Sequence, residues 1–297
     1  LFLVPLVAFW LVDDSAAACG LSHATDRQLL VAGSLGTLIF VLAYPLVLRY
    51  VWRTEPLPAG PLRTRLERFA EYSGHGMREI LVWKTGGVGV NAALVGLTPR
   101  FRYVLLTDGL LSRLTEDEIE AAFAHELAHA RLRHVPLRML AVLAPVSCAL
   151  AASVVFPPLG PAVASVTADF AGVEPYAVPL VLAPAALVYL CAVFGPLARR
   201  FEYQADLYAC RLLAEFHGSR LADEVDLLCQ TILRLNLLSG LSSRRRTWQH
   251  TSAAERVAML RGALVEPVPV ALLDRRLRLV GSLLFGLTCG GLAVVLW

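Results

Sequence analysis

Four long stretches of this chain carry no Asp, Glu, Lys or Arg: Gln28 to Leu48, Met139 to Ala168, Pro175 to Ala198 and Leu279 to Trp297. A helix rising ~1.5 Å per residue needs about 20 apolar residues to cross ~30 Å of hydrocarbon. Each stretch therefore predicts a membrane-spanning helix, because four such runs are hard to bury inside one water-soluble core. Leu1 to Val12 is too short to cross alone and reads as the remainder of a fifth span. Pro45, Pro145, Pro179, Pro184 and Pro196 lie within these stretches and predict kinks, since neighbouring helices in a bilayer satisfy the freed carbonyls.

The polar stretches between the spans have an orientation. Apart from Arg27, every basic residue falls in Arg49 to Arg138 or Arg199 to Arg278, thirteen in each. The turn around Val155 to Glu174 has only Asp169 and Glu174 as charges. The positive-inside rule puts that turn outside and both basic segments in the cytoplasm. The organisation predicted is a membrane segment over 1–54, a cytoplasmic part over 55–138, a membrane hairpin over 139–198, a second cytoplasmic part over 199–278 and a last span over 279–297.

Within the first cytoplasmic part, Glu55 to Pro61 reads as a linker and Leu62 to Tyr72 as a helix burying Leu66, Phe69 and Ala70. Glu79 to Lys84, Val88 to Val95 and Phe101 to Leu106 have strand character, punctuated by Thr85-Gly-Gly87 and Gly96 to Pro99. Thr115-Glu-Asp-Glu118 is a capping box, and the helix it opens is expected to run to about His134, its last turn carrying Arg131, Arg133 and His134 as the helix dipole favours. Charges at both ends put that helix in water or at the interface. The second cytoplasmic part reads as mainly helical, with Ser219 an N-cap and Ser252-Ala-Ala-Glu255 a second capping box.

Composition agrees: 57% of residues are hydrophobic, 17% charged, and mean hydropathy is +0.60, which excludes a disordered chain. A net charge of +3 gives no reason to invoke nucleic acid. Cys19, Cys148, Cys191, Cys210, Cys229 and Cys289 form no CxxC and read as small buried hydrophobes, neither a disulfide framework nor a cysteine zinc site.

The chemistry sits at residues 125 to 129, His-Glu-Leu-Ala-His. Positions i and i+4 share one helix face, so His125 and His129 can each offer a ring nitrogen to one Zn²⁺. Glu126 then stands beside the metal, where a carboxylate can take a proton from water. A catalytic zinc needs a third protein ligand. The best candidate is Glu202, in Arg199-Arg-Phe-Glu-Tyr-Gln-Ala-Asp206 at the start of a helix that follows an inward-ending span, with Glu215 and Glu255 as alternatives. Asp206, one turn further on, is placed to accept a hydrogen bond from a ligand histidine. His134 reads as a helix-end charge.

HELAH at 125 to 129 followed by Glu-x-x-Ala-Asp at 202 to 206 resembles the HtpX and CAAX prenyl protease type of membrane zinc metallopeptidase, a gluzincin. Asn91-Ala92 and Val104-Leu-Leu-Thr-Asp-Gly-Leu-Leu111 are similar to that family's sheet, and the likeness extends over about residues 60 to 265. It implies an α-helical integral membrane protein of four or five spans with a cytoplasmic α+β, zincin-like metalloprotease domain, in a bacterial inner membrane. It further implies Zn²⁺ as cofactor, Glu202 as third ligand and Glu126 as general base. The strand holding Asn91 and Ala92 would be the edge that binds an extended polypeptide substrate. Thr247 to Arg256 resembles the family's late histidine segment, with Thr251 where proline is usual, and implies that His250 stabilises the oxyanion.

Three other readings use the same motif. A signalling receptor of the antirepressor class would bring a large extracellular sensor, which these residues do not hold. An intramembrane site-two protease would place the motif in lipid and add an Asn-Pro-Asp-Gly, which is not found. A membrane scaffold with a structural zinc would need a fourth protein ligand.

Overall fold

The computed structural model describes residues 45–49, 51–155, 187–240, 242, 251–266 and 268–296. Leu1 to Val12, Cys19, His250, most of the turn between Val155 and Glu174, the greater part of the expected span Gln28 to Leu48 and half of Pro175 to Ala198 lie outside them. The chain forms two compact units, Leu1–Leu127 and Ala128–Trp297.

The first unit is built on a four-stranded sheet in the order β1-β2-β4-β3, from β1 (Thr54–Pro56), β2 (Glu79–Trp83), β3 (Ala92–Val95) and β4 (Tyr103–Thr107). β2 and β4 run parallel, while β1 and β3 flank them antiparallel. Helix α1 (Pro61–Tyr72) starts with proline at its first position and buries Leu66, Phe69 and Ala70, the face its periodicity predicts. Phe69 meets Phe123 of α3 (Glu116–Arg131) edge to face. Between β4 and α3 lies the short α2 (Asp108–Arg113), whose N-cap Thr107 accepts from the Leu110 N–H.

Two expectations change here. The stretch from Glu55 is not all linker, because Thr54–Pro56 pairs with β2 as its edge. The second strand begins at Ala92 instead of Val88, because side chains take the backbone donors before it: Gly89 N–H donates to Thr85 Oγ1 and Asn91 N–H to Thr107 Oγ1.

α3 continues through the division at Leu127 and ends at Arg131, short of His134. Pro136 is the cause: in an unbroken helix it would lack the N–H for the Leu132 carbonyl and clash with it. The chain breaks at Leu132 and Arg133, the latter at φ 56°, and restarts as α4 (His134–Val155), where Pro136 falls in a tolerated first turn.

The second unit then holds a π-helical turn (Leu190–Phe194) leading into α5 (Gly195–His217), followed by α6 (Leu221–Leu238), α7 (Ala253–Val265) and α8 (Val268–Leu296). Gly218 closes α5 at φ 66°. Ser219 does not cap α6; its hydroxyl donates to Glu224 at 2.6 Å. The capping box of Ser252 and Glu255 opens α7 as expected.

Leu272–Val294 of α8 is long and apolar enough to cross a membrane, and most of it is not buried within the structure. Its buried positions, Leu277, Gly281, Leu284, Thr288 and Gly291, repeat every three or four residues and form one stripe. That stripe packs on α4: a Cβ at Gly291 would come within 2.7 Å of the Ser147 backbone, and one at Gly281 within 2.8 Å of Leu137 Cδ2. Leu279, Leu283 and Phe285, away from the stripe, are about 60% exposed. A core helix of a soluble protein hides such residues, so the chain is mostly helical, with at least one membrane-length helix. Cys210 and Cys229 are buried as expected, but Cys191 and Cys289 are exposed on apolar helices, because those helices do not bury every face.

Candidate metal centre

Thr115 and Glu118 form the reciprocal capping bonds that start α3, which sets the phase on which His125 and His129 fall one turn apart. The ligand atoms of His125, His129 and Glu202 all lie within 4.8 Å of one another, and all three residues are buried. His129 Nε2 is 3.7 Å from Glu202 Oε1. Donor atoms bonded to one ion at about 2.0–2.2 Å stand no more than roughly 4.3 Å apart, so the 3.7 Å between His129 and Glu202 fits a shared metal. Two imidazoles and a carboxylate suit an ion of zinc's kind, and the cluster can hold a metal ion.

Glu202 is prepared for that position by Arg138, whose guanidinium donates to Oε1 at 2.9 Å and lies over the Phe201 ring. Arg138 carries no signal in the sequence. Asp206, fully buried one turn on, accepts from Arg256 at both oxygens, 2.8 and 2.5 Å away. One of its neighbours is thus a cation delivered by α7, a bidentate pair of the strong kind.

His134 is not a solvated helix end. It is fully buried, stacked on Phe201 with ring centroids 4.5 Å apart, and its Nδ1 meets His129 Nδ1 at 2.8 Å. Its Nε2 meets Gln204 Oε1 at 2.9 Å. The helix break at Arg133 makes this contact, and Pro136 is its one signal in the sequence.

Glu126 is half-buried, and its Oε2 accepts the Leu94 N–H at 2.9 Å. Ala92 opposes Leu106 and Leu94 opposes Val104 in the β3–β4 ladder. The backbone of Asn91 is bonded to Thr107, so by the alternation of antiparallel pairs the N–H and C=O of Ala92 and Leu94 point off the sheet edge. Asn91 itself precedes β3 and is exposed, and its backbone is engaged by Thr107. The loop before it is anchored by Asp108, which accepts from Thr85 N–H and Oγ1–H and from the Gly86, Gly87 and Gly109 N–H groups. These donors hold the Asp108 carboxyl at a pKa of about 2, the Thr85 hydroxyl contributing most. His250 lies outside the described residues.

A family model described as Peptidase family M48 matches residues 56–263, most of the chain and every residue of the cluster. The chain belongs to peptidase family M48. Among M48-type relatives it is similar to a protein named Protease HtpX homolog from Aeropyrum pernix, 31% identical over 146 residues, which are 48% of this chain and 44% of that protein. It is also similar to a CAAX prenyl protease 1 homolog of Arabidopsis thaliana, 30% identical over 109 residues, 36% of this chain and 26% of that one. The chain thus spans less than half the length of these relatives. Its fold is like that in the crystal structure of S. mikatae Ste24p, with a TM-score of 0.58, 19% identity, and coverage of 86% of this chain and 62% of that one.

Proposed function

We propose that this M48 chain is a zinc-dependent endopeptidase that hydrolyses peptide bonds of unfolded or membrane-associated polypeptides at the cytoplasmic face of a membrane. The observation that carries this reading is the convergence of His125, His129 and Glu202 on the helix face next to Glu126. The similar proteins from Aeropyrum pernix and Arabidopsis thaliana are both named proteases, which supports it. Among the described residues the cluster has three donors, which favours a catalytic zinc over a closed structural one with four.

His125, His129 and Glu202 would hold the ion. When bound, Zn²⁺ supplies Lewis acidity, polarising the scissile carbonyl and acidifying water in the site. Glu126 takes the proton of the attacking water and returns it to the leaving amine, while the Leu94 N–H restrains its carboxylate. An extended substrate adds along the outer edge of β3, meeting the outward backbone of Ala92, with Asn91 at the end of that edge. His250, just ahead of α7, stabilises the oxyanion. Asp206 steadies the helix that carries Glu202 through its pair with Arg256.

The chain sits in a bacterial inner membrane by four or five spans: segments 1–54, the hairpin 139–198 and 279–297 in lipid, with 55–138 and 199–278 in the cytoplasm. Apart from Arg27, the basic residues fall in Arg49 to Arg138 and Arg199 to Arg278, which supports this orientation.

The deciding experiment measures zinc content and cleavage of an unfolded polypeptide for wild type and Glu126→Gln. Zinc is expected to be retained while cleavage falls by roughly 10²–10⁴-fold, the span of a lost general base. Equal loss of zinc would make Glu126 a ligand, and unchanged cleavage would remove it from the mechanism. Chelation should silence the wild type and added Zn²⁺ restore it.

A further inference from the structure

The contacts of His129 continue beyond His134. His129 Nδ1 meets His134 Nδ1 at 2.8 Å, His134 Nε2 meets Gln204 Oε1 at 2.9 Å, and Gln204 Nε2 donates to Asp274 Oδ1 at 2.7 Å. Asp274 belongs to α8 and lies two residues into its membrane-length stretch. The links run from a metal-facing ring to a helix built for lipid.

With neutral imidazole rings the chain of bonds has one consistent direction. A carboxylate only accepts, so Gln204 must present its amide nitrogen to Asp274 and its oxygen to His134. That oxygen also only accepts, so His134 carries its proton on Nε2 and presents a lone pair at Nδ1. His129 must then donate from Nδ1, which leaves the lone pair on Nε2, the nitrogen that faces Glu202. The opposite orientation of the Gln204 amide would set its oxygen against the Asp274 carboxylate. Thus the tautomer of His129 that a metal requires is specified by an anion three residues away through the relay.

We propose that His134, Gln204 and Asp274 are positioning residues: a directed hydrogen-bond relay that holds His129 with its Nε2 lone pair at the metal position and makes the seating of α8 a determinant of metal affinity. The inference rests on the reading of His129 as a metal ligand. His134 is suited to this part because the Phe201 stack fixes its ring plane and its burial keeps water from competing for either nitrogen.

The test is zinc affinity of the full chain in nanodiscs, measured by competition with a chromophoric chelator. His134→Phe keeps the stack and Gln204→Met keeps the volume, and each is expected to weaken zinc binding about 10 to 100-fold. Gln204→Glu still accepts from His134 but sets a second anion against Asp274. Its affinity should fall, and the double variant Gln204→Glu with Asp274→Asn should recover it, because the amide introduced on α8 can donate to the new carboxylate. A merely structural role would lower the melting temperature without zinc and leave the zinc-induced rise unchanged; the relay lowers that rise. His129→Ala separates the two readings. If it keeps zinc, the ligand assignment is wrong. If it loses zinc while His134→Phe and Gln204→Met bind within about twofold of wild type, or the double variant recovers nothing, the relay is overturned.

Discussion

Around Glu202 and Asp206 the chain buries charge, whereas along α8 it exposes hydrocarbon. On α5, two carboxylates one turn apart are both buried, and each is met by a guanidinium, Arg138 or Arg256. On α8, Leu279, Leu283 and Phe285 face outward with no polar counterpart among them. The two regions invert the ordinary arrangement of a soluble protein for different reasons. The first is held by pairing, because an ion out of water is tolerable only with its partner. The second is apolar over a length that would cross a bilayer, and lipid in place of water would leave such residues no partner to need.

The comparison breaks most severely at Arg256. Arg256→Met leaves Asp206 buried without its cation and should cost about 3–5 kcal/mol, read as a fall in melting temperature or denaturant midpoint. An unchanged midpoint would mean that water reaches Asp206. On the other side, Leu283→Arg should cost roughly 2.5–3.5 kcal/mol of insertion free energy if α8 crosses the bilayer. A glycosylation-based insertion assay checks this, and an indifferent result would place that face in water.

Arg138→Met is expected to be milder, because it removes the orienting partner of Glu202 but no metal donor. Zinc affinity should drop about 10 to 100-fold, measured by chelator competition, and the zinc-free protein should also melt lower, because Glu202 loses the guanidinium that pairs its buried carboxylate. Asp108 sharpens the contrast with a third carboxylate that is satisfied by short-range donors in water. Its folded pKa of about 2 lies below the ordinary carboxylate value of 3.8, so its stabilisation is present above pH 3.8 and lost as pH falls toward 2. Asp108→Asn should therefore melt below the wild type at pH 7, with the gap closing by about pH 2. A gap that persists in acid would assign the effect to loop packing.

What can be read in advance follows the range of each interaction. The capping boxes of Thr115 with Glu118 and Ser252 with Glu255, the core face of α1 and the pairing of His125 with His129 are all set within three or four residues, and each is legible as spacing. Glu202 is legible as a candidate because its helix follows an apolar run. Arg138, Gln204 and Asp274 are not, since nothing local marks a partner 64 or 70 residues away. His134 is misread from sequence because the charge at a helix end outweighs Pro136 two residues later. The strand Thr54–Pro56 is hidden in a proline-rich stretch that edge strands tolerate and linkers favour.

The close seating of α8 on α4 also constrains what the gene can inherit. Every missense change at a glycine codon adds at least one carbon. At Gly291 that carbon would fall 2.7 Å from the carbonyl carbon and oxygen of Ser147, backbone atoms that cannot rotate aside. Gly286 and Gly290, on the same helix, would meet nothing within 4 Å. Variation along this helix is thus filtered by face: small apolar side chains meet no atom at Gly286 and Gly290, whereas any side chain at position 291 requires backbone to shift.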